Sequence, residues 1–503
     1  MDCDLLVVGA GINGAGIARD AAGRGLSVVV CDKGDLGGGT SSASGKLIHG
    51  GLRYLEHLEF RLVREALTER ETLMGIAPHI TRPMRFVLPH DIERRPFWFV
   101  RLGLMLYDHL GRRKSLPGTE VIRLDRSPAG ATLRRRNDRA FVYSDVWVDD
   151  ARLVVLNCID AAERGATVLP RTACVAAHAE DGHWIATLEA EGGMRHAVRA
   201  RAVVNAAGPW VDEVLRGAIR ANADRRVRLV KGSHVVLRKW YAGDHAYVLQ
   251  NDDRRLLFVV PFEDDFVVVG TTDIPFTDRA EAVAIDDAEI AYLLGALNRR
   301  FALSLTAADL VWRFSGVRPL LDDGQANPSA VTRDYAFDLQ RRDGGPPLLS
   351  IFGGKITTYR RLAEHALREL GPLLGSTAAP WTAGGVLPGG DGGVAAAEDF
   401  AESLRRDFPW LPPALARRYA RTYGSRARRL IGDARRTDDL GRDFGAGLHE
   451  RELVHLRDGE WARCADDAIW RRTKLGLHLA PPQVAAIARW FDAGDAARKA
   501  AAR

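Results

Sequence analysis

Gly9, Gly11 and Gly14 stand at G-x-G-x-x-G spacing in the opening stretch Asp4-Leu-Leu-Val-Val-Gly-Ala-Gly-Ile-Asn-Gly. At that spacing the first glycine permits a tight turn, the second lets a pyrophosphate approach the backbone, and the third lets a helix pack on a strand. Ile12 and Asn13 open that helix, whose free N–H groups and positive dipole end suit an anion. Asp32 follows 18 residues after Gly14, where the partner of a ribose hydroxyl belongs. A lone glycine motif is weak evidence, because glycine turns are common. Strand, helix, second strand and acid falling in place together point to a dinucleotide site.

A second chemical stretch runs from Gly37 to Glu56. It is dense in glycine (Gly45, Gly50, Gly51), hydroxyls (Thr40, Ser41, Ser42) and bases (Lys46, His49, Arg53), with Leu47 and Tyr54 among them. Small residues let a flat ligand lie on the backbone, and the hydroxyls can donate to phosphate oxygens. The plain alternative is a flexible glycine-serine loop, but linkers seldom carry such a set of bases.

These groups must be held by regular elements. Leu5 to Val8 and Leu26 to Cys31 are short apolar runs of the kind that form buried parallel strands. Val198 to Asn205 is another, ending in Ala206-Ala207-Gly208; this reads equally as a cofactor turn or a plain strand-to-helix turn. Leu348 to Phe352 leads into Gly353-Gly354-Lys355, then Ile356, Thr357 and a helical run to about Leu370, repeating the logic of the N-terminus. From Glu56 to Leu73 the pattern is helical, with Leu58, Leu62, Ala66 and Leu73 on one face. Between these segments, Val235–Leu237, Leu256–Pro261 and Phe266–Gly270 predict an antiparallel sheet. Residues 371–393, rich in Gly and Pro, predict a linker. Helical patterns follow at 395–407, 413–431, 450–474 and 481–500, with prolines at two of the starts.

At 503 residues, with 46% hydrophobic and 27% charged residues, the chain is long enough for about three units of globular type. Five scattered cysteines (3, 31, 158, 174, 464) without C-x-x-C argue against a disulfide framework, zinc or an iron–sulfur cluster, and no metal site is expected. No leader is visible ahead of the first strand, and no apolar run reaches the ~20 residues that span a bilayer, so any membrane contact is expected to be peripheral. The net charge of +6 is uneven: residues 401–503 hold 21 Lys+Arg against 14 Asp+Glu. Nucleic acid, an anionic membrane or a solvated helical face could each account for that excess.

Residues 1–66 closely resemble the bacterial FAD-dependent, aerobic (respiratory) glycerol-3-phosphate dehydrogenases. The resemblance continues through Tyr107-Asp-His-Leu-Gly111, Tyr143 to Leu153, Lys231-Gly-Ser-His234, Gly270-Thr-Thr-Asp273, Ser315-Gly-Val-Arg-Pro319, Thr332-Arg-Asp-Tyr335 and Phe352 to Tyr359. It extends into Arg417 to Gly424 and Ala465 to Lys474, so it covers nearly the whole chain. Asp32 where glutamate is usual, and Gly45 where serine is usual, are mild departures.

The resemblance implies an α/β fold: a Rossmann-like FAD-binding domain of the D-amino-acid-oxidase/glutathione-reductase type, an antiparallel β-rich substrate domain and a C-terminal helical cap. Residues 1–390 would form the oxidoreductase domain, with FAD segments at about 1–75, 198–215 and 345–372 and a substrate subdomain at about 80–197 and 225–345. Residues 391–503 would form the cap. The helix after Gly354 would direct its positive end at the flavin edge that becomes negative on reduction.

The implied reaction oxidises sn-glycerol 3-phosphate to dihydroxyacetone phosphate, with electrons passing to a membrane quinone. It removes a hydride to flavin N5 and a proton from oxygen. The base candidates are His49 and His234; Arg318 and Lys355 complete the catalytic set, Lys355 as charge beside the flavin or the alkoxide. Arg53, Tyr54 and Arg333 are candidates for holding the substrate, since a phosphate is best held by arginine forks. An oxygen-using glycerol-3-phosphate oxidase and an amine or amino-acid oxidase of the same fold are the alternatives. A nucleic-acid-binding role would need aromatic-basic platforms or a reader helix, and neither stands out.

A quinone dissolved in lipid requires contact with the bilayer, which predicts peripheral binding at the cytoplasmic face of the inner membrane. Two surfaces are candidates. One is the apolar stretch Arg95 to Tyr107 with Arg94, Arg112, Arg113 and Lys114 beside it, an interfacial helix or else a core helix. The other is Arg417, Arg418, Arg421, Arg428 and Arg429. The family also suggests a homodimer.

Overall fold

The apolar run of the first strand, Asp2–Val8, alternates between two cores, and this fixes its place in the fold. Leu5 and Val7 belong to a core shared with the helices Ile12–Gly23, Asp150–Glu163 and Tyr359–Leu370. Leu6 and Val8 belong to a core on the opposite face, shared with Ala177, Trp184, Ala186, Val211 and Leu215. A strand covered on both faces has no polar side, hence the unbroken run. The computed structural model describes all residues except 91–94, 112, 135–138, 222–224, 254, 323–333, 342–343, 392–396 and 502–503. Arg333, Arg94 and Arg112 therefore lie outside the described residues, as does the side chain of Arg53.

Two sheets organise the chain. The first has the order Tyr335–Gln340, Leu348–Gly353, Arg195–Asn205, Asp2–Val8, Val28–Cys31, Thr167–Leu169. All neighbours are parallel except the outermost strand, Tyr335–Gln340. The antiparallel strands Thr172–Glu180 and His183–Ala190 extend it beside Arg195–Asn205. Residues 149–205 thus build this sheet, although 80–197 was expected in the substrate subdomain. The reason is the helix Asp150–Glu163, N-capped by Asp149, which accepts from the Arg152 amide at 3.1 Å. Parallel pairing needs such a crossover, and it delivers Thr167–Leu169 beside Val28–Cys31.

Among the described residues the second sheet has ten strands, including Thr81–Pro89, Arg139–Val148, Val227–Arg238, Leu256–Phe262, Phe266–Gly270 and Leu310–Leu321. Its alternation sorts side chains cleanly. Val235, Leu237, Val267 and Val269 pack under the helix Asp287–Arg300. Val236, Val260 and Val268 face the opposite way, toward Leu47, Val63, Leu67 and Tyr107. That second face carries the candidate site.

The helix expected over 56–73 runs Phe60–Ile76, and Leu58 stands outside it, in a left-handed turn and exposed. The helix Phe97–Leu110 packs only Leu104 and Tyr107 fully inward. Trp98 is 65% exposed, Phe99 47% and Met105 51%, with Leu102 and Leu106 also exposed. It is therefore no core helix. No helix among the described residues is long and apolar enough to cross a membrane.

Of the linker expected over 371–393, the described part, 371–391, is anchored to the body of the protein at several points. Trp381 lies against Arg19 and Arg164, the Leu387 amide donates to the Ile76 carbonyl, and Leu387 is buried. Beyond them, helices from Ala397–Asp407 to Pro481–Ala501 surround a core of their own, from Phe400 to Phe491. The run expected as one helix over 450–474 is broken: Glu450–Gly459 ends at Glu460, which turns inward to Arg152. The five-arginine membrane surface is largely taken up internally. Arg418 forks onto buried Glu452, Arg421 onto Asp264, and Arg428 holds Asp407 and Ser403. The helix Pro413–Tyr423 turns Arg418 inward and sets Arg421 beside an acid of the large sheet, so these arginines do not form one free basic face.

Candidate active site

The glycine turn sits where the first strand meets the strand Arg195–Asn205. The Gly9 amide donates to the Cys31 carbonyl and the Ala206 amide to the Val8 carbonyl, both at 2.8 Å. Gly9 has φ +104°, and a Cβ there would lie 2.6 Å from the Ala206 carbonyl oxygen. A Cβ on Gly14 would lie 1.8 Å from the Gly9 carbonyl oxygen. No other residue closes this turn. Ala206, Ala207 and Gly208 are thereby set against it. The first helical bond runs from the Ala15 amide to the Gly11 carbonyl, so the Asn13 and Gly14 amides point out of the helix end.

The wall of this cradle is the loop from Asp32 to Ser42. The Asp32 carboxylate accepts from the Ala10 amide at 2.7 Å and the Gly34 amide at 2.8 Å. Burial raises its pKa, against the pull of those two amides. A carboxylate can accept about four hydrogen bonds, which leaves capacity for a ribose hydroxyl. The Ser41 hydroxyl accepts from the Ile12 amide at 2.9 Å, so its own proton is available to a ligand. Thr40 differs from expectation: its hydroxyl donates to the Val317 carbonyl at 2.6 Å. Ser42 makes a long 3.4 Å contact to Gly39.

The side chains of Lys46 and Leu47 are engaged away from the glycine turn. The Lys46 ammonium is buried on Asp150 at 2.8 Å, because an unpaired buried cation would be costly. Leu47 pairs with Trp147 in the large sheet and packs in its core. His49 and Gly50 follow. The His49 amide lies 3.4 Å from the Thr357 hydroxyl, which ties this loop to the turn after Leu348–Gly353. The Gly50 amide donates to the Tyr107 hydroxyl at 2.8 Å, and that hydroxyl donates in turn to Asp145. Burial pushes the Asp145 carboxyl up to about 6, although Arg70 pulls it down. Gly51, at φ +75°, lies under the Tyr54 ring, and the Lys355 ammonium sits 4.0 Å from that ring's centre. Gly353 and Gly354 both have positive φ, and the Asn13 amide side chain reaches the Gly353 carbonyl at 3.2 Å.

Opposite this loop lies one face of the large sheet. Register places Val230 beside Arg318, Gly232 beside Gly316 and His234 beside Phe314, with Gly270 on the other side of His234. Residues paired directly across an antiparallel ladder share a face. Arg318 and His234 therefore flank a floor made of Gly232 and Gly316. The Arg318 guanidinium lies over Gly232, where a Cβ would be 2.4 Å from Nη2. It is oriented by Asp273 and by the Thr271 hydroxyl at 2.9 Å. Ala43 approaches Gly316 and Gly45 approaches His234 Nε2 from the loop above.

His234 is buried and stacked on Phe314 at 4.7 Å. Burial, then the charges of Arg318 and Lys46, bring its pKa down to about 3. It is a neutral imidazole at physiological pH, not one poised near 7. The glycine floor, Thr271, Asp273 and Tyr107 were missed by the sequence reading. The readable signal was Gly232 and Gly316 inside strands, each two residues from a candidate site residue, since mid-strand glycine marks close approach of something else.

Residues 4–360 match the family described as FAD dependent oxidoreductase. The chain belongs to that family.

The likeness to individual relatives extends beyond the matched segment. The chain is 53% identical over 491 residues to the D-erythritol 1-phosphate dehydrogenase of Brucella abortus, covering 97% of this chain and 98% of that one. It is 51% identical to a glycerol-3-phosphate dehydrogenase of Pseudomonas aeruginosa (97% and 94% covered) and 50% to the aerobic glycerol-3-phosphate dehydrogenase of Escherichia coli K12 (97% of each). Among solved structures, the glycerol-3-phosphate dehydrogenase of Bacillus halodurans complexed with FAD matches with TM-score 0.74 and 26% identity, covering 94% of this chain and 86% of that one. The enzyme is an FAD-dependent oxidoreductase. The glycine turn with outward amides, the residual capacity of Asp32 and the free proton of Ser41 suit such a cofactor.

Proposed function

We propose that this oxidoreductase converts sn-glycerol 3-phosphate to dihydroxyacetone phosphate and delivers the electrons to a membrane quinone. The observation that carries the reading is the glycine floor between Arg318 and His234, on a chain half-identical over nearly its whole length to glycerol-3-phosphate dehydrogenases. Strands without side chains at these two points let the Arg318 guanidinium and Ala43 come down onto the sheet, which holds Arg318 and His234 close under the loop 43–54. FAD supplies the hydride acceptor when bound.

The protein's own groups handle charge and proton. Arg318, oriented by Asp273 and Thr271, presents a fixed cation to the phosphate or to the oxygen losing its proton. His234, neutral and beside it, accepts the hydrogen bond of the substrate hydroxyl. A substrate phosphate that neutralises Arg318 removes one of the charges holding the His234 pKa down, so binding itself improves the base. His49 is the second base, and Lys355 adds positive charge from the opposite wall, beside Tyr54. Arg53 and Arg333 remain candidates for the phosphate.

The exposed apolar face of Phe97–Leu110 supports peripheral attachment to the cytoplasmic face of the inner membrane. The Brucella relative favours a second reading: a four-carbon polyol phosphate, one carbinol longer, as substrate. Steady-state assays with both phosphates against a quinone analogue, with peroxide measured in parallel, separate the readings. Turnover of glycerol 3-phosphate with quinone reduction is expected. Turnover of erythritol 1-phosphate alone would transfer the proposal to that substrate, and peroxide without quinone reduction would make the enzyme an oxidase.

A further inference from the structure

The loop that walls the cofactor cradle is held from outside by a short helical segment, Asp467–Arg472, more than 400 residues away. Asp35, 4% exposed, accepts from Arg472 Nη2 at 2.8 Å, from Arg472 Nη1 and from Arg471 Nε. Arg472 is fully buried and also donates to the Glu460 carbonyl at 2.7 Å. A second arm grips the same loop. The Arg171 amide donates to the Gly34 carbonyl at 2.7 Å and the Thr172 amide to the Asp32 carbonyl. The Arg171 guanidinium meanwhile reaches Asp467 at 2.9 Å, and Asp467 also accepts from Arg471 and from the Arg463 amide. Those cations and amides hold the Asp467 carboxyl well below the usual carboxylate range.

The loop's inner side contacts the glycine turn directly. Asp32 holds the Ala10 amide, and the Gly37 amide donates to the Ala10 carbonyl at 3.1 Å. The Gly38 amide donates to the Asp35 carbonyl at 2.9 Å. Moving Asp35 therefore moves the groups that face the pyrophosphate and ribose.

We infer that the C-terminal segment 463–472, helical over Asp467–Arg472, is a latch on the FAD-holding loop, with Arg471 and Arg472 on Asp35, and Asp467 on Arg171, as residues that position the cofactor site. The inference rests on Asp32 to Ser42 forming the cofactor wall. Removing Arg472 leaves Asp35 buried beside only one guanidinium, so the loop must open toward water. The chain's C-terminal helices then set cofactor retention, a role beyond covering the site.

The test measures FAD release from purified holoenzyme, as the gain of flavin fluorescence after dilution, and FAD rebinding by titration. Asp35→Asn, Arg471→Met and Arg472→Met are compared with Arg418→Met, which breaks a comparably buried pair, Arg418–Glu452, away from this loop. Release about tenfold faster in the first three is expected, toward the upper range for residues acting on a ligand through a neighbour, with Arg418→Met unchanged. Should Arg472→Met fail to fold, Asp35→Asn and Arg471→Met decide. Unchanged release in these two, or equal loss in Arg418→Met, overturns the latch. A wild-type protein without flavin would instead refute the cofactor assignment itself.

Discussion

Gly232→Ala adds one methyl group under the Arg318 guanidinium. The new Cβ would lie 2.4 Å from Arg318 Nη2, 2.8 Å from its Cζ and 2.8 Å from the Thr271 hydroxyl. Ordinary contact needs about 3.4 Å or more, so the guanidinium must shift by roughly 1 Å. The backbone at Gly232 is not left-handed, so alanine is compatible with the strand and the fold should survive. Overpacking costs about 1–3 kcal/mol, partly offset by the ~0.5–1 kcal/mol that alanine gains over glycine within a strand. A 1 Å misplacement of a charge-positioning group is worth about 100-fold in rate. Loss of kcat/KM for glycerol 3-phosphate by about two orders of magnitude is expected, with FAD content, read from flavin absorbance, unchanged. Gly75→Ala, where the added Cβ meets nothing within 4 Å, is the control. Normal kcat/KM in Gly232→Ala would show that the substrate does not depend on Arg318 as positioned here.

Arg318→Ala should retain FAD and lose at least about 30-fold in kcat/KM, as expected when a desolvated charge partner is removed at a cost of ~2–5 kcal/mol; full activity in this variant refutes the substrate placement. His79 and His234 are both buried with folded pKa values of about 3, chiefly through burial. The unfolded chain binds a proton at each below about 6.5 and the folded chain does not, so stability rises with pH between about 3 and 6.5. His79→Asn should flatten the plot of urea midpoint-derived stability against pH by ~1.4 kcal/mol per pH unit in that window; an unchanged slope would mean that His79 titrates alike in both states. Replacing Trp98, Phe99, Met105 and Leu106 by serine should abolish flotation with anionic vesicles without loss of FAD. Phe97 is left intact because it stacks on Phe141 at 4.7 Å. Flotation as strong as wild type would exclude this helix as the membrane contact.

The cofactor turn was legible in the sequence because its constraints are local. Gly14 is required by its contact with Gly9, five residues away, and Gly9 by its own positive φ, and alternate burial of Leu5 to Val8 writes a two-faced strand as an apolar run. The same locality located the turn at Gly353-Gly354 and the helix after it. What lay beyond sequence was every arrangement set by distant partners. Lys46 belongs to a basic glycine-rich stretch, yet its ammonium goes to Asp150, 104 residues on. Residues 149–205 look β-rich, but a crossover helix assigns them to the parallel sheet. Arg418 and Arg421 look like a basic surface, but Glu452 and Asp264 meet them. The floor under the substrate depended on register: Gly232 and Gly316 come face to face only once two strands, 84 residues apart, pair antiparallel. Asp35 likewise gains its function from Arg471 and Arg472, because a buried carboxylate takes whatever cation the fold brings to it. Local backbone geometry is encoded in neighbouring residues, whereas the pairing of charges and faces is decided by packing.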